Sequence, residues 1–257
     1  MNSNKTTIYH DLKDQHVFIT GGATGIGAEM VRAFAAQGAR VAFIDYDEIN
    51  ARQLCDDLMN DQFHKPWFKK VDVTNVNTLE NAIADAIKEF GPIYALINNV
   101  ANDERHTPEE MNEEKWRASL AVNLDPAFFA SKAVYESMKL NHQGSIINFS
   151  SINALLGPAN MPAYVTAKAG LVGMTKALSK DYGDNNIRVN AILPGWVITD
   201  RQIEKWLTPE AEEEWKKLVA LKDRIMPIDV AKLAIFLASS DSKMITGQSF
   251  VIDAGRT

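Results

Sequence analysis

Seven short apolar runs recur along the chain, and amphipathic segments separate most of them. The runs are HVFIT, RVAFID, WFKKVDV, YALINN, SIINFSS, IRVNAIL and SFVID. Runs of this length, rich in β-branched residues, predict strands that are buried on both faces. Between them, apolar positions repeat at helical spacing, as in the stripe Leu79, Ile83, Ile87 and Phe90. The alternation predicts one α/β domain over residues 1–257, doubly wound, with a seven-stranded parallel sheet and helices on both faces.

Three segments between the runs predict further elements. Residues 108–140 predict one long helix, and residues 163–182 predict a helix that is apolar on more than one side. A helix of the second kind is fully buried, either under the sheet or against a partner. Between the sixth and seventh runs, WLTPEAEEEWKKLVALKD is strongly charged, and we expect it to form part of a substrate lid over about residues 196–222.

Composition and charge narrow the class of protein. With 257 residues, 46% hydrophobic and 23% charged, the chain is typical of a globular protein. Its net charge of −6 argues against binding to nucleic acid, which favours clustered lysine and arginine. The lone Cys55 cannot form an internal disulfide, the opening MNSNKTTIYHDLKD lacks the apolar core of a signal peptide, and no apolar stretch would span a membrane. We therefore expect a cytoplasmic protein, and the scattered histidines indicate no metal site.

A glycine-rich turn, TGGATGIG at residues 20–27, lies between the first predicted strand and the first predicted helix. Glycines there let the backbone turn tightly and approach a pyrophosphate, whose charge is stabilised by the helix N-terminus. The spacing differs from the general G-x-G-x-x-G fingerprint, so a turn without a ligand stays an alternative. The candidate cofactor residues here are Gly21, Thr24, Gly25, Ile26 and Gly27.

Asp45 ends the second predicted strand, 18 residues after Gly27. An acid at this point can accept hydrogen bonds from the ribose hydroxyls of an adenosine. The 2′-phosphate of NADP would face the same carboxylate, and neither Thr24 nor Tyr46 is basic. We therefore predict NAD as the cofactor, with Asp45 and Tyr46 among its contacts. The alternative is that Asp45 only caps the turn that follows.

Tyr164 and Lys168 lie four residues apart in MPAYVTAKAGL, which places both side chains on one face of a helix. A cation about 4 Å from a phenol contributes roughly 4 kcal/mol at an effective dielectric constant of about 20, or up to about three pKa units. That shift would bring the phenol pKa near neutrality and make Tyr164 a general base. Such pairs also occur by chance on helix surfaces. Ser151, at the end of the fifth predicted strand, adds a hydroxyl that could donate to a carbonyl oxygen.

Together these residues resemble the short-chain dehydrogenase/reductase family, single-domain enzymes of the Rossmann type. The resemblance runs from TGGATGIG through NNVA, AVNL, YVTAK and PGWVITD to IDAG, which is nearly the whole chain. It implies a catalytic tetrad of Asn123, Ser151, Tyr164 and Lys168. In that reading Tyr164 takes the hydroxyl proton, Ser151 steadies the developing carbonyl, and Lys168 also holds the nicotinamide ribose. Asn123 would hold a water that links Lys168 to solvent; alternatively, it marks a helix kink before Pro126.

The same resemblance implies further cofactor contacts and an assembly. The additional cofactor residues are Asp72 at the adenine, Val73, Asn99, Pro194, Gly195, Val197, Ile198 and Thr199. Of these, Ile198 and Thr199 are similar to the segment that hydrogen-bonds the nicotinamide carboxamide. The family favours a homotetramer in which the helices near residues 108–140 and 163–182 pair across a two-fold axis.

One stretch departs from the family pattern. After the fourth strand the family usually has Ala-Gly, and this chain has Val100 and Ala101. Ala101 can replace glycine only if its φ is negative. The added bulk puts the local cofactor contacts in question, although not the reaction class.

Two polar stretches suggest the class of substrate. ANDERH (101–106) follows the fourth predicted strand, where the strand ends open to the cleft, and GWVITDRQIEKW lies on the predicted lid. Aromatic faces together with amide and guanidinium groups suit a polyhydroxylated ring. The candidate substrate residues are Asn102, Arg105, Ser151, Asn153, Tyr164, Trp196, Arg201, Gln202 and Trp206. A charged loop is also often only solvated, and Trp206 could simply anchor the lid by packing.

NDERH followed by ITDRQIEKWLTPE resembles the bacterial sugar dehydrogenases of the family, which oxidise the anomeric hydroxyl of aldoses to lactones. The resemblance implies an NAD-dependent aldose 1-dehydrogenase, such as a galactose or xylose dehydrogenase. Two alternatives stay open: a 3-oxoacyl reductase or other alcohol or polyol dehydrogenase of the family, and an NAD-binding sensor or scaffold without chemistry. Asp45 and the polar lid count against the reductase. The retention of Ser151, Tyr164 and Lys168 counts against the sensor.

Overall fold

The strands of the protein occur where the apolar runs predict them. The computed structural model describes residues 7–257, and its strands are β1 His16–Thr20, β2 Arg40–Asp45, β3 Trp67–Lys70, β4 Ala95–Asn98, β5 Gly144–Phe149, β6 Ile187–Pro194 and β7 Ser249–Ile252. They form one parallel sheet in the order β3-β2-β1-β4-β5-β6-β7. Every residue of β1, β4 and β5 is buried, which explains their continuous apolar runs. The predicted α/β class with a seven-stranded parallel sheet is confirmed.

Helices connect the strands and cover both faces of the sheet. They are α1 Gly25–Ala36, α2 Glu48–Asn60, α3 Val76–Phe90, α4 Glu113–Asn123, α5 Asp125–Leu140, α6 Asn153–Leu156, α7 Pro162–Gly183, α8 Asp200–Lys205, α9 Pro209–Leu218 and α10 Pro227–Ala238, with short 3-10 helices at His10–Leu12 and Ser240–Ser242. The apolar sides of α1, α2 and α10 pack on one face, and those of α3, α5 and α7 pack on the other. Strand order reverses between β1 and β4, so the loops after these strands open into a common crevice.

The prediction of one helix over residues 108–140 is wrong. The first helix of this region, α4, starts only at Glu113 and ends at Asn123, and Leu124 has φ −129° and ψ −57° before α5 begins. Pro126 in the first turn of α5 has no backbone N–H, and its ring would collide with the carbonyl four residues earlier in a continuous helix. The chain therefore breaks here, and the break sets the position of Asn123.

The helix predicted over residues 163–182 is α7, but in one chain it is buried on one side only. Its inward residues include Ala167 and Leu171, which are 0% and 2% exposed. Ala169 and Gly173 on the same helix are exposed. Packing under the sheet therefore accounts for part of its apolar surface, and a face of small residues is left over.

The third strand is shorter than its apolar run predicts. The backbone N–H of Val71 still donates to Asp45 O at 2.9 Å, but β3 ends at Lys70 and Asp72 is already exposed. The opening segment 1–14 of the sequence lies in part outside the described residues. Among residues 7–257, no helix is long and apolar enough to cross a membrane.

Candidate active site

Three of the predicted catalytic side chains lie at the carboxyl end of β5 and the start of α7. Ser151 follows β5 by two residues, and Tyr164 and Lys168 occupy the first two turns of α7. All three are buried, with exposed fractions of 9%, 8% and 1%. Lys168 Nζ lies 5.7 Å from the centroid of the Tyr164 ring and donates a hydrogen bond of 2.7 Å to Phe149 O. The helical spacing thus places the phenol and the ammonium side by side.

The predicted fall in the pKa of Tyr164 is wrong for the protein groups alone. Burial raises the pKa of Tyr164 to about 12, although a hydrogen bond with Ser151 acts in the lowering direction. Burial also lowers the pKa of Lys168 to about 7. The expectation assumed a fully charged lysine about 4 Å from the phenol. In the fold the charged form of Lys168 is disfavoured by burial, so its effect on the phenol is smaller.

Asn123, the fourth predicted catalytic residue, holds the loop after β4. Its Oδ1 accepts from Asn102 N at 2.8 Å, and its Nδ2 donates to Asn102 O and to Ser119 O, each at 3.0 Å. The side chain is 3% exposed and stands at the last residue of α4, beside the helix break. The break therefore directs this amide at the backbone of the loop that carries the predicted substrate residues.

The N-terminus of α1 is open to an anion. Thr24 is its N-cap, but the threonine side chain makes no capping hydrogen bond. By contrast, the side chains of Asp47, Asn75 and Asn112 accept from the first turns of α2, α3 and α4. The N–H groups of the first turn of α1 are thus left for a negatively charged group, and Thr24 and Gly25 in front of them are exposed.

The glycine turn has a backbone that other residues could not adopt without strain or collision. Gly21 and Gly25 have φ +70° and +55°, in the left-handed region. A methyl group on Gly27 would lie 1.8 Å from Gly21 O. Asn99 Nδ2 donates to that same oxygen at 2.8 Å and to Thr20 O at 3.2 Å. Asn99, which the sequence assigns to the cofactor, therefore stabilises the glycine turn through its side-chain amide.

Asp45 is oriented by two backbone N–H groups. Its Oδ2 accepts from Ala23 N at 2.9 Å in the glycine turn, and its Oδ1 accepts from Asp47 N at 3.0 Å. The second bond caps the turn that follows β2. The capping role, which the sequence leaves open as an alternative for Asp45, is therefore also observed. The first bond holds the carboxylate, 8% exposed, against the glycine turn. Tyr46 beside it is 75% exposed.

Asp72 and Val73 follow β3 at the same edge of the sheet. Asp72 Oδ1 accepts from the backbone N–H and the hydroxyl of Thr74 at 2.9 and 2.8 Å. Its second oxygen makes no hydrogen bond among the described residues, and Val73 is buried. Asp72, which is predicted to contact the adenine, is thus exposed, and Thr74 fixes the orientation of its carboxylate.

The segment after β6 lies against the glycine turn. Pro194 ends β6, and Ile198 N donates to Ile225 O at 2.9 Å, which holds the segment in extended form. Thr199 Cγ2 lies 3.3 Å from the place that a methyl group on Gly25 would occupy. The predicted carboxamide-binding residues and the predicted pyrophosphate turn are therefore direct neighbours.

The departure at Val100 and Ala101 is accommodated without strain. Ala101 is not among the non-glycine residues with positive φ, so the condition for replacing glycine is met. Val100 Cγ2 lies 2.9 Å from the place that a methyl group on Gly21 would occupy. The valine therefore packs on the glycine turn, and the extra bulk is matched by the absence of a side chain at Gly21.

Four of the nine predicted substrate residues are joined with Asp103 in one hydrogen-bonded group, which we call the clasp. It consists of Asn102, Asp103, Trp196, Arg201 and Gln202. Arg201 Nη2 donates to Asp103 Oδ1 at 2.9 Å and to Asn102 Oδ1 at 3.2 Å. Gln202 Nε2 donates to Asp103 Oδ2 at 3.1 Å and its Oε1 accepts from Trp196 Nε1 at 2.8 Å. These bonds tie the loop after β4 to α8.

Three other predicted substrate residues lie outside the clasp. The Arg105 guanidinium stacks on the Trp206 ring, 3.9 Å from its centroid, so this pair makes a second contact between the loop and the segment after α8. Asn153 lies beside Ser151, whose Oγ accepts from its backbone N–H at 3.1 Å. Its Nδ2 contacts Met161 Sδ at 3.7 Å. Asn153 is thus next to Ser151 and makes no hydrogen bond to the clasp among the described residues.

A cavity of about 180 Å³ opens in front of Tyr164. Its lining residues include Asn102, Glu104, His106, Lys115, Met161 and Tyr164. The polar side chains come from the loop after β4 and from α4, and Asn123 contributes at the back. A small polar molecule placed there would contact Tyr164 and the polar side chains around it.

Comparison with known proteins places the chain in a family. The family model that matches, described as Enoyl-(Acyl carrier protein) reductase, covers residues 21–257. "Probable galactose dehydrogenase GalD" of Rhizobium meliloti is 43% identical over 96% of this chain and 96% of its own. The chain belongs to the short-chain dehydrogenase/reductase family. The D-xylose 1-dehydrogenase of Caulobacter vibrioides is 41% identical over 97% of this chain and 98% of its own. The solved structure titled "Crystal structure of gox2181" has a TM-score of 0.90 and 28% identity, covering 96% and 98% of the two chains.

As a short-chain dehydrogenase/reductase, the protein is an oxidoreductase, and the family generally binds NAD or NADP. The residues present fit such a dinucleotide on two observations. The α1 N-terminus lacks a side-chain cap where a pyrophosphate would need free N–H groups. The Asp45 carboxylate is fixed beside the glycine turn, because it accepts a hydrogen bond from the backbone N–H of Ala23, which lies 22 residues earlier in the chain.

Two residues of the site were missed as candidates from the sequence. Asp103 is the centre of the clasp, and the available signal was its place within NDERH. Arg224 has its guanidinium 4.6 Å from the centroid of the Trp196 ring and 3.9 Å from that of Trp215, and it also pairs with Glu212. No local sequence pattern links Arg224 to either tryptophan, because both contacts are tertiary contacts that form only in the folded chain. Among residues 7–257 no group of three or more histidine, cysteine, aspartate or glutamate side chains is arranged to hold a metal ion.

Proposed function

We propose that the protein is an NAD-dependent aldose 1-dehydrogenase, which oxidises the anomeric hydroxyl of an aldose to an aldonolactone. The observation that carries the proposal is the polar cavity beside Tyr164, where Asn102, Glu104, His106 and Lys115 offer amide, carboxylate, imidazole and ammonium groups, and Asn102 joins this lining to the clasp. Such groups match the dense hydroxyls of a sugar. Sequence identity of 43% and 41% to proteins named as galactose and xylose dehydrogenases supports the same class of substrate.

In this proposal Tyr164 is the general base. Once ionised, its phenolate oxygen takes the proton of the anomeric hydroxyl, and Ser151, whose hydroxyl lowers the pKa of Tyr164, donates to the substrate oxygen as the carbonyl develops. When bound, the oxidised nicotinamide accepts the hydride that leaves the same carbon. Before the hydride is transferred, the positive charge of an oxidised nicotinamide would favour the ionised phenol and would oppose the effect of burial on the pKa of Tyr164.

Lys168 and Asn123 have supporting roles. One N–H of the Lys168 ammonium donates to Phe149 O, which leaves two N–H donors for the ribose hydroxyls next to the nicotinamide. Asn123 positions the Asn102 backbone and has one acceptor lone pair left on Oδ1 for a water that passes protons from Lys168 to solvent. Both assignments are carried over from the family resemblance.

We propose NAD rather than NADP because of the charge around Asp45. A 2′-phosphate would lie against its carboxylate, and the exposed neighbours Thr24 and Tyr46 offer no cation to compensate. The proposed NAD contacts are Gly21, Thr24, Gly25, Ile26, Gly27, Asp45, Tyr46, Asp72, Val73, Asn99, Tyr164, Lys168, Pro194, Gly195, Val197, Ile198 and Thr199. Asn99 and Val100 act mainly by holding the glycine turn in place.

Residues 196–222 are proposed as the lid of one catalytic domain. The segment contains α8 and α9 and is fastened to the loop after β4 through the clasp and the stacking of Arg105 on Trp206. Trp215 on α9 is 2% exposed and stacks on Arg224, which anchors the far end of the segment. A lid held at both ends can close over a small substrate and exclude water from the reacting atoms.

A 3-oxoacyl reductase is the second candidate, because the matching family model is described in terms of an acyl carrier protein substrate. A reductase working with NADPH would need a cation where Asp45 lies. Its acyl chain would also need an apolar channel, whereas the cavity before Tyr164 is lined by Asn102, Glu104, His106 and Lys115 as well as apolar residues. We therefore favour the aldose dehydrogenase.

The test is the appearance of NADH when the purified protein is mixed with NAD and a panel of aldoses. Acyclic polyols, a steroid alcohol and a 3-hydroxyacyl thioester serve as controls, and NADP replaces NAD in a parallel series. We expect a clear rate with one or two aldoses and at least a tenfold preference for NAD. Activity on a control with silence on every aldose would reject the substrate class and retain the oxidoreductase. NAD binding without turnover on any alcohol would favour a sensor or scaffold.

A cytoplasmic homotetramer completes the proposal. The face of α7 that carries Ala169, Gly173 and Ala177 is exposed in one chain, and these small residues recur every four positions. Helices that carry small residues on one face can approach each other closely. A second copy packed there would cover the apolar surface that the sheet leaves open.

A further inference from the structure

Asp103 has a fixed carboxylate at the junction of the loop after β4 and α8. Arg201 binds one of its oxygens at 2.9 Å and Gln202 binds the other at 3.1 Å. Its side chain is 23% exposed. The carboxylate is therefore held in one orientation, and part of it still faces open space.

Asp103 lies beside the cleft of Tyr164. The two neighbours of Asp103, Asn102 and Glu104, line the cavity in front of the phenol. The charges of Asp103 and Arg201 also act on the pKa of Tyr164, in opposite directions, which places both within electrostatic reach of the hydroxyl. A substrate held by Tyr164 would thus have the carboxylate as a neighbour.

Asp103 has unused hydrogen-bonding capacity. An ionised carboxylate offers about four lone-pair sites, and the clasp uses two of them. Arg201 and Gln202 are both donors here, so neither competes for the remaining sites, which only another donor can fill. A sugar hydroxyl is such a donor, and water is the other.

Building on the function proposed above, we propose that Asp103 is a specificity-determining residue that accepts a hydrogen bond from one ring hydroxyl of the aldose. The hydroxyl is on a carbon other than the one that is oxidised, since Tyr164 and Ser151 bind the reacting oxygen. A fixed, partly buried acceptor discriminates strongly against a ligand that lacks the donor, because the acceptor is then left without a partner.

The competing explanation is that Asp103 only fastens α8 through Arg201 and Gln202. The two explanations differ in how the effect depends on the substrate. A fastening role would change the rate for every sugar by the same factor. A direct contact would change the rate only for sugars that carry the hydroxyl in question.

The experiment measures kcat and KM for the preferred aldose and for its monodeoxy analogues, with wild-type protein and with Asp103→Asn. We expect one deoxy analogue to lose at least about tenfold in kcat/KM with the wild type. Asp103→Asn should lose a similar factor on the parent aldose, mainly through KM, and should not distinguish the parent from that analogue by more than about twofold. Glu109→Gln, an exposed acid-to-amide change on the same connection, should behave as the wild type.

Two results would overturn the inference. The first is a wild type that loses less than about threefold on every deoxy analogue, which requires no variant and so does not depend on Asp103→Asn folding. The second is an equal loss on the parent and on all analogues in Asp103→Asn. A wild type that turns over no aldose at all would instead overturn the proposed function, so the two failures are distinct.

Discussion

At the scale of single residues, burial decides the chemistry of the Tyr164 and Lys168 pair. Four-residue spacing on α7 puts both side chains on the inward face, where they are 8% and 1% exposed. The sequence predicts this pairing, but it does not predict how burial raises the pKa of Tyr164 and lowers that of Lys168, since burial depends on the elements packed around α7. Asp103 was missed for a related reason, because its partners Arg201 and Gln202 lie nearly a hundred positions away in the chain.

Tyr164→Phe should abolish most turnover while leaving NAD affinity within a few-fold of the wild type. The phenol oxygen is the proposed base, and general base catalysis contributes roughly 10²–10⁴-fold to a rate. The ring itself keeps its packing, so the fold and the nucleotide site should persist. The measurements are kcat with the preferred aldose and the dissociation constant of NAD.

The matched control for this substitution is Tyr135→Phe on α5. That hydroxyl accepts from Asn185 Nδ2 at 3.2 Å, and its ring stacks on Tyr182 at 4.4 Å between centroids, away from the glycine turn. It should leave kcat unchanged. A Tyr164→Phe variant with near wild-type kcat would remove the phenol from the mechanism.

At the scale of elements, the sequence predicts those strands and helices that depend on the local hydrophobic pattern. The prediction fails where a tertiary contact or a single proline changes the course of the backbone. Strands such as β2 and β5 are predicted because parallel strands buried on both faces read as continuous apolar runs. The sequence predicts one long helix with at most a kink at Asn123, whereas the structure has a break at Leu124. Its cause, Pro126, is visible in the sequence, but the consequence for Asn123 requires the loop that it holds.

His16 couples β1 to the end of α3 and makes stability depend on pH. Its Nδ1 lies 2.7 Å from Gly91 O, its ring meets Phe90 edge-on at 5.5 Å, and the residue is 1% exposed. Burial lowers its pKa to about 4 from the ordinary value of 6.5. Since the unfolded chain takes up the proton first, the free energy of unfolding should fall as the pH drops from about 6.5 to about 4, by about 3 kcal/mol in total.

Denaturant unfolding at pH 7 and pH 5 checks this dependence in the wild type and in His16→Asn. The amide can still donate to Gly91 O but does not titrate, so the variant should be less stable at pH 7 and lose less stability at pH 5. His64→Asn is the control, because that histidine is largely exposed. An equal pH dependence in the wild type and in His16→Asn would show that His16 is not its source.

At the scale of the whole molecule, the proposed tetramer places the face of α7 that is turned away from the sheet at the interface between copies. Ala169, Gly173 and Ala177 are exposed there, and Phe128 on the neighbouring helix α5 is 42% exposed. An arginine at Ala169 would put a bulky charge where two copies of α7 pack across a two-fold axis, next to its own symmetry mate. We therefore expect a tetramer for the wild type and a dimer or monomer for Ala169→Arg, measured by light scattering at micromolar concentration.

Ala84→Arg on α3 is the matched control for this test, since Ala84 is also an exposed helical alanine and lies outside the proposed interface. It should leave the mass of the wild type unchanged. Because Tyr164 and Lys168 lie on the inward side of the same helix, loss of the tetramer should lower thermal stability before it lowers kcat. A monomeric wild type would reject the tetramer. An Ala169→Arg variant that keeps its full mass would mean that the tetramer is built on another surface.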